Sequence, residues 1–475
     1  MSAPRMAFFF GRLTMGLSAV SLAPLIFALW MEEPSFPFFL MTGLTAACAA
    51  VFSLAGLRQA DALTLREGVA VTGLVWILAS ALGAVPYVAG GWLGCLDGFL
   101  ESTSGYTGAG ATVMTSIATL PKSILLWRAL THWIGGLGVI VFFIALLPQF
   151  GQGAAYLFET ESGGAMPGRV LPRMTEMAKT LFAVYAVFTA AATMAYMASG
   201  LALFDAVCHA MSTIATGGFS TYDDSAAHFH SPAAEWWMIF FMLVSSGDFG
   251  MYAASIRHGV KAVLRNAEFR FFLAMVCVVS LSIAAELILS GTAASEAVRS
   301  AFFQASSVGS TTGFVSADFD QWPSFPRLCL LFLMLVGGCS GSTAGGFKAM
   351  RVILLAQLVA RAGRRALSPN AREESIVGGR RASSEALLGA GYFFFVYCLI
   401  CVVWTLIFVW DGSTFFDSAA LSLTTMGNVG PGFGAWGATS TYAGLPPISK
   451  AAAAASMLVG RLEIFPLIVM LRPGF

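Results

Sequence analysis

The sequence predicts an all-α polytopic membrane protein in which four pseudo-symmetric helix, pore-helix, helix repeats surround a central pore, with an extra N-terminal helix pair. Of its 475 residues, 57% are hydrophobic and only 11% are charged, which is typical of a chain with many membrane spans. Apolar runs of spanning length recur along the whole chain. Four times, a short segment and a glycine-containing turn lie between two such runs.

Ten apolar runs are predicted to cross the membrane, and an even number places both termini on one side. The first run lacks a small-residue cleavage site, so we expect it to be retained. The termini and the connections on their side carry most of the Lys and Arg residues, which predicts cytoplasmic termini. The opposite connections collect acids such as Asp223 and Asp320, which would concentrate cations at a pore mouth. The predicted spans are 7–31, 36–57, 67–90, 122–148, 174–200, 234–256, 268–290, 325–360, 386–410 and 447–470.

The first two spans form a predicted N-terminal transmembrane helix pair, residues 1–60, and the rest of the chain divides into four pore repeats. The repeats are predicted to occupy 61–155, 156–262, 263–365, with a broken second helix, and 366–475. The short segment in each repeat is about ten residues long, too short to cross a bilayer, and is predicted to be a re-entrant half-helix. Non-helical backbone at membrane depth must be buried in protein or face a watery cavity. The short segments are 96–106, 204–214, 298–309 and 415–425.

The four turns that follow these segments are the predicted selectivity filter for a permeating ion. Glycine reaches backbone angles that are closed to other residues, and inward carbonyl oxygens can replace part of the hydration shell of an ion. Four such turns around one axis would form a ring, whereas the alternative is four turns that only pack helices together. The residues are Thr107, Gly108, Ala109 and Gly110; Ala215, Thr216, Gly217 and Gly218; Ser310, Thr311, Thr312 and Gly313; and Gly427, Asn428, Val429 and Gly430.

A small-residue stretch interrupts the eighth predicted span and is the predicted gate. Five glycines in ten residues cost about 1 kcal/mol each relative to alanine in a helix. The span should therefore break into two halves, and the loop between them would obstruct the path beside the third turn. The alternative is a small-residue patch for helix packing. The residues are Gly337, Gly338, Cys339, Ser340, Gly341, Ser342, Thr343, Ala344, Gly345 and Gly346.

Arg461 lies within the last apolar run and completes the predicted gate. A basic residue at membrane depth is costly unless it faces a cavity or a partner. Facing the pore, Arg461 would repel cations, with carbonyls of the 337–346 loop as partners. The alternative is an ion pair with Glu463 or another acid, although residues two apart on a helix point to different faces.

Two further polar residues lie in apolar surroundings. Asp248 would either contact the permeation path or bond across helices, and we leave both open. His132 is expected to be packed and hydrogen-bonded, because no partnered nucleophile accompanies it. No catalytic set can be assembled, so the chain is not expected to be an enzyme.

At these residues the sequence resembles the Trk/Ktr/HKT superfamily of potassium transporters, specifically its bacterial TrkH/TrkG branch, over nearly the whole chain. The resemblance assigns the filter glycines to Gly110, Gly218, Gly313 and Gly430, the broken-helix gate to 337–346, and the barrier arginine to Arg461. The first turn departs from the Thr-Thr-Thr-Gly usual there, because Gly108 and Ala109 lack hydroxyls, and this departure bears on K⁺ over Na⁺ selectivity. The most specific matches are 101–107, 212–220, 310–314, 337–346 with Lys348 and Arg351, 428–432 and 460–465.

The resemblance implies potassium uptake across the bacterial inner membrane, with K⁺ as the permeant ligand and no organic cofactor. It also implies a homodimer in the lipid bilayer and a cytoplasmic nucleotide-binding regulatory subunit of TrkA type, with no nucleic-acid partner. The alternative is a cation-coupled secondary transporter of a small organic solute. That class would show paired, inverted interruptions instead of four turns in the same orientation.

Overall fold

A computed structural model gives the structure of the chain and describes residues 3–56, 65–146, 171–367, 375–378 and 380–464. The described part is almost entirely helical, apart from a two-stranded antiparallel hairpin. The hairpin pairs β1 (Ser375–Val377) with β2 (Arg380–Ala382), ahead of the first helix of the fourth repeat.

The N-terminal helix pair and the first two repeats follow the predicted order. The pair consists of α1 (Ala3–Trp30) and α2 (Phe36–Gly56), which pack along each other. The first repeat contains α3 (Leu65–Gly83), the short α4 (Val85–Ala89), α5 (Cys95–Thr107) and α6 (Lys122–Leu146). The second repeat contains α7 (Leu171–Ala198), α8 (Leu203–Ile214), α9 (Pro232–Ser245), α10 (Phe249–His258) and the short α11 (Lys261–Arg265).

The third and fourth repeats have the same plan. The third contains α12 (Ala267–Leu289), α13 (Ala294–Gly309), α14 (Ser324–Val336) and α15 (Ala349–Leu367). The fourth contains α16 (Ser384–Trp410), α17 (Phe415–Gly427) and α18 (Pro447–Arg461). The short helices α5, α8, α13 and α17 are the predicted half-helices, and each ends where a glycine turn begins.

Six helices of the described chain are long and apolar enough to cross a membrane, or seven when the bent pair of α9 and α10 counts as one. The other three predicted spans correspond to α6, to the broken pair of α14 and α15, and to α18. Large apolar side chains such as Trp30, Leu289 and Trp410 are exposed on these helices, as expected where lipid replaces water. The chain is therefore built as a multi-pass membrane protein.

The predicted span 234–256 is present as two helices with a sharp bend between them. α9 and α10 meet at an angle of 89°. Gly247 weakens the helix at the bend, and the Asp248 carboxylate accepts the N–H of Gly250 (2.7 Å) as the N-cap of α10. A side chain that caps a new helix start competes with continuation of the old helix.

The interruption of 325–360 was expected and is present. α14 ends at Val336, α15 begins at Ala349, and residues 337–348 between them are not helical. Gly337 ends α14 with a φ of +69°, a conformation in which glycine carries no Cβ penalty.

The main apolar core lies between the second and third repeats. Tyr196 of α7, Phe272 of α12 and Phe303 of α13 are all fully buried there. A second cluster, which includes Trp127 of α6, packs the N-terminal pair against the first repeat. These clusters surround the short helices and fix the ends from which the four turns emerge.

Candidate ion-conduction site

The four glycine turns meet in one closed ring. A side chain added to the last glycine of any turn would collide with a carbonyl oxygen of the next turn. Each contact joins one glycine with the residue before the next glycine: Gly110 with Gly217, Gly218 with Thr312, Gly313 with Val429, and Gly430 with Ala109. The four turns, far apart in sequence, therefore occupy equivalent positions around one axis.

The backbone of each turn has the same unusual conformation. The last glycines have positive φ angles, +74°, +84°, +83° and +102° in chain order. The residues two positions before these glycines also have positive φ angles: +71° for Gly108, +51° for Thr216, +57° for Thr311 and +52° for Asn428. Glycine adopts positive φ freely and asparagine tolerates it, whereas Thr216 and Thr311 are β-branched and carry local strain that the surrounding structure must hold in place. In the first turn, Gly108 occupies this position without that strain.

The 337–346 loop lies directly against the ring. The N–H of Gly345 donates to the Thr311 hydroxyl of the third turn (2.7 Å). The Thr216 hydroxyl of the second turn donates to the Thr343 hydroxyl (3.2 Å). A side chain on Gly345 would collide with the carbonyl of Gly427 in the fourth turn. The loop thus contacts three of the four turns.

The opposite side of the loop is held by the bend of the second repeat and by one carboxylate. The N–H of Cys339 donates to the Ser246 carbonyl (2.9 Å) in the bend between α9 and α10. Glu268, in the first turn of α12, is buried. Its Oε1 accepts the N–H groups of Ser340 (2.7 Å) and Met350 (2.9 Å). A single side chain therefore ties the loop to the first turn of α15.

Arg461 ends α18 and reaches two carbonyl oxygens on different elements. Its Nη1 donates to Thr343 of the loop (2.7 Å), and its Nη2 donates to Gly135 of α6 (3.0 Å). The Glu463 carboxylate, considered above as an alternative partner, binds Arg351 of α15 and also lies within electrostatic reach of Arg461. The guanidinium of Arg461 is thus placed where the loop meets the first repeat.

Acids on the connections near the ring bind backbone of neighbouring segments. Asp223 accepts the N–H of Ile117 (2.5 Å) and Asp320 accepts that of Gly434 (3.1 Å). Partial burial raises the pKa of Asp320 above its ordinary value, while the Gly434 N–H and Arg327 act in the opposite direction. These two carboxylates join segments from different repeats. Part of their negative charge is therefore balanced by hydrogen bonds within the protein.

Comparison with known proteins agrees with this architecture. The family model TrkH, described as a cation transport protein, matches residues 39–473. The chain belongs to the TrkH family. This family comprises cation transporters and not enzymes.

Individual members of the TrkH family are similar over most of their length. The Trk system potassium uptake protein TrkH of Salmonella typhimurium is 36% identical over 88% of this chain and 87% of that protein. The Trk system potassium uptake protein TrkG of Escherichia coli is 32% identical over 94% of this chain and 93% of that protein. The crystal structure of the potassium transporter TrkH from Vibrio parahaemolyticus matches with a TM-score of 0.90 and 32% identity, over 100% of this chain and 99% of that one.

Within this TrkH-family fold, Asp248 and His132 do not lie in the ring. Asp248 caps α10 and sits close to Gly341 of the loop. His132 is buried behind the second turn, where Nδ1 contacts the Gly105 carbonyl (2.8 Å) and Nε2 accepts the Phe219 N–H (3.2 Å). His132 is therefore packed and hydrogen-bonded, as the sequence predicted.

Sequence reasoning gave no role to Glu268. It counted Glu101 with the acids of the outer connections and Arg128 with the few basic residues of that side, whereas the structure buries the two side chains as a pair. Glu268 and Glu101 share one weak feature in the sequence: each carboxylate lies close to a run of small or apolar residues. Glu101 and Arg128 lie 27 residues apart, and Arg128 reaches Ser220 across 92 residues. The two N–H groups that Glu268 accepts lie 72 and 82 residues away.

Proposed function

We propose that the chain conducts K⁺ into the cell across the bacterial inner membrane, with the four turns as its selectivity filter. The closed ring of four equivalent glycine turns carries this proposal. Backbone carbonyls around a ring can replace part of the hydration shell of a cation, and relatives named as potassium uptake proteins favour K⁺ as the cation. The interruptions recur in all four repeats, which does not favour the paired arrangement of an organic-solute transporter.

The gate in this proposal consists of the 337–346 loop together with Arg461. The contacts of the loop with three turns, and the bond of the Arg461 guanidinium to Thr343 of the loop, support this proposal. K⁺ would enter from the side of the acidic connections and lose water at the ring. It would then pass when the loop and guanidinium move aside. A membrane potential favours inward movement by about 2.3 kcal/mol per charge per 100 mV.

The assembly and sidedness are proposed with the function. Both termini would be cytoplasmic, two copies of the chain would form a homodimer, and a TrkA-type nucleotide-binding subunit would act on the gate from the cytoplasm. The repeat boundaries predicted above, 61–155, 156–262, 263–365 and 366–475, belong to the same proposal. The Trk system named for the relatives supports a multi-component arrangement.

Growth of a K⁺-uptake-deficient bacterium tests the function directly. Expression of the chain with a TrkA-type subunit is expected to restore growth on low K⁺ and to produce Rb⁺ uptake, because Rb⁺ resembles K⁺ in size and charge. An empty vector is the control. Well-expressed protein that gives neither growth nor Rb⁺ uptake would overturn the proposal.

Replacement of Glu268 with alanine tests the gate loop. The two backbone N–H groups that its carboxylate accepts would lose their partner, and hydrogen bonds to a charged group contribute about 1.5–3 kcal/mol. The closed loop should therefore be destabilised, and Rb⁺ flux without the regulatory subunit should rise several-fold. Glu296→Ala, which removes a carboxylate from the exposed start of α13, is the matched control. Unchanged basal flux in Glu268→Ala would remove Glu268 from the gate.

A further inference from the structure

In three of the four repeats, the residue nine positions before the last glycine of the turn binds the segment that follows the turn. In the first repeat, Glu101 accepts the N–H of Val113 (2.8 Å). In the second, His209 Nε2 contacts the Ser220 hydroxyl (3.0 Å). In the third, the Gln304 side-chain oxygen accepts the N–H of Ser316 (2.7 Å) in the amide orientation that satisfies both of its ends. Each of these side chains spans from a half-helix to the residues beyond its own turn, so the position is a shared support of the ring.

In the fourth repeat, other side chains bind the segment that follows the turn. Leu421 occupies the equivalent position and is apolar and buried. There the Tyr442 hydroxyl donates to the Gly430 carbonyl (2.8 Å), and the Thr424 hydroxyl donates to that of Pro431 (3.0 Å). Among these four equivalent positions, a charge therefore occurs only at Glu101.

That charge is paired with Arg128 of α6. Arg128 Nε lies 2.9 Å from Glu101 Oε1, and the two side chains are 1% and 0% exposed. Arg128 Nη1 also donates to the Ser220 carbonyl beyond the second turn (2.9 Å), and its guanidinium stacks on the Phe219 ring at 4.0 Å. The pair thus joins the segment after the first turn to the segment after the second.

His132 ties together the same two repeats. It lies four residues after Arg128, one helical turn along α6, and bridges the Gly105 carbonyl of α5 to the Phe219 N–H. Arg128 and His132 therefore hold adjacent residues of one segment from one face of one helix.

The first turn has fewer hydroxyl bonds of its own than the second and third turns. In the third turn, the Ser310 and Thr312 hydroxyls bond each other (2.7 Å), and in the second, Thr216 bonds Thr343. Gly108 and Ala109 have no hydroxyl with which to make such bonds. A buried ion pair adds little net stability compared with apolar residues of similar size, so its contribution here is in the geometry it imposes.

We propose that Glu101 and Arg128 form a positioning pair that fixes the spacing of the first two turns and so determines discrimination between K⁺ and Na⁺. The inference rests on the proposed function. Neither side chain is part of the ring. They act through the backbone after each turn, because a ring that is held less rigidly adapts its carbonyl oxygens to the smaller Na⁺.

The test measures Na⁺ over K⁺ permeability in proteoliposomes for the wild type and for Glu101→Gln, Arg128→Lys and the double variant Glu101→Leu with Arg128→Met. All three are expected to raise the relative Na⁺ permeability, by about tenfold for Glu101→Gln. Arg128→Lys keeps the charge but cannot bind both Glu101 and Ser220 in a rigid fork. The double variant leaves no unpaired buried charge. The permeability ratio reports on the molecules that conduct, so partial misfolding does not change it.

Glu235→Gln is the matched control, because it breaks a Glu–Arg pair with Arg299 (3.1 Å) away from the ring. Its permeability ratio should equal that of the wild type. A wild-type ratio in any conducting variant of Glu101 or Arg128 would overturn the positioning role. If only Arg128→Lys reaches the membrane, its Na⁺ over K⁺ permeability ratio tests the positioning role by the same criterion. A wild-type protein that carries no K⁺ would instead overturn the proposed function, so the two failures are distinguishable.

Discussion

Replacement of Gly313 with serine is expected to lower the K⁺/Na⁺ permeability ratio by about tenfold or more, which corresponds to about 1.4 kcal/mol of discrimination. Gly313 has a φ of +83°, and a Cβ there would collide with the Val429 carbonyl and lie 2.9 Å from Pro431 Cδ. The third and fourth turns would have to separate, and the ring of carbonyl oxygens would lose its regular spacing. Competition of Na⁺ with Rb⁺ uptake, together with reversal potentials, measures the change.

The matched control for Gly313→Ser is Gly200→Ser. Gly200 also has a positive φ, +99°, but a Cβ there would meet no atom within 4 Å. Both variants pay a strain of about 1–3 kcal/mol for a non-glycine residue in this conformation, whereas only Gly313→Ser collides with the ring. If both variants keep the wild-type permeability ratio, Gly313 does not belong to the filter. If both lose it equally, backbone strain and not ring geometry is responsible.

The positions of the four turns could be predicted because the requirement for glycine is local. Positive φ at Gly110 and its three equivalents favours a residue without Cβ, and the sequence shows that residue directly. The density of glycine at 337–346 likewise shows that a helix cannot continue. The bend at Gly247 leaves no comparable signal, since one glycine and one aspartate barely change the apolar character of the run.

The first turn was interpreted from the sequence as a turn that lacks two hydroxyls. The structure also shows a difference in backbone strain. Gly108 has a φ of +71° at the position where Thr216 and Thr311 carry strain. The loss of a hydroxyl is thus accompanied by relief of backbone strain. The support by Glu101 could not be predicted, because Arg128 joins it to Ser220 across 92 residues and only the folded chain brings them together.

Replacement of Arg461 with alanine is expected to raise Rb⁺ flux through the chain without its regulatory subunit by about tenfold or more. A guanidinium about 8 Å from a passing cation repels it by about 2 kcal/mol at an effective dielectric constant of about 20, which corresponds to about thirtyfold in rate. The same change also removes the donors to Thr343 and Gly135, so the loop loses one of its attachments. Flux into proteoliposomes under an imposed potential measures the effect.

Arg461→Lys separates the two contributions of the guanidinium. Lysine keeps the positive charge but presents a compact ammonium that cannot hold Thr343 and Gly135 in the same rigid fork. Flux near the wild-type level in Arg461→Lys would assign the barrier to charge, because the electrostatic repulsion is retained. Flux as high as in Arg461→Ala would assign the barrier to attachment of the loop. A loss of flux in Arg461→Ala with normal expression and thermal stability would contradict a barrier at this residue, because removal of either contribution should ease the passage of a cation.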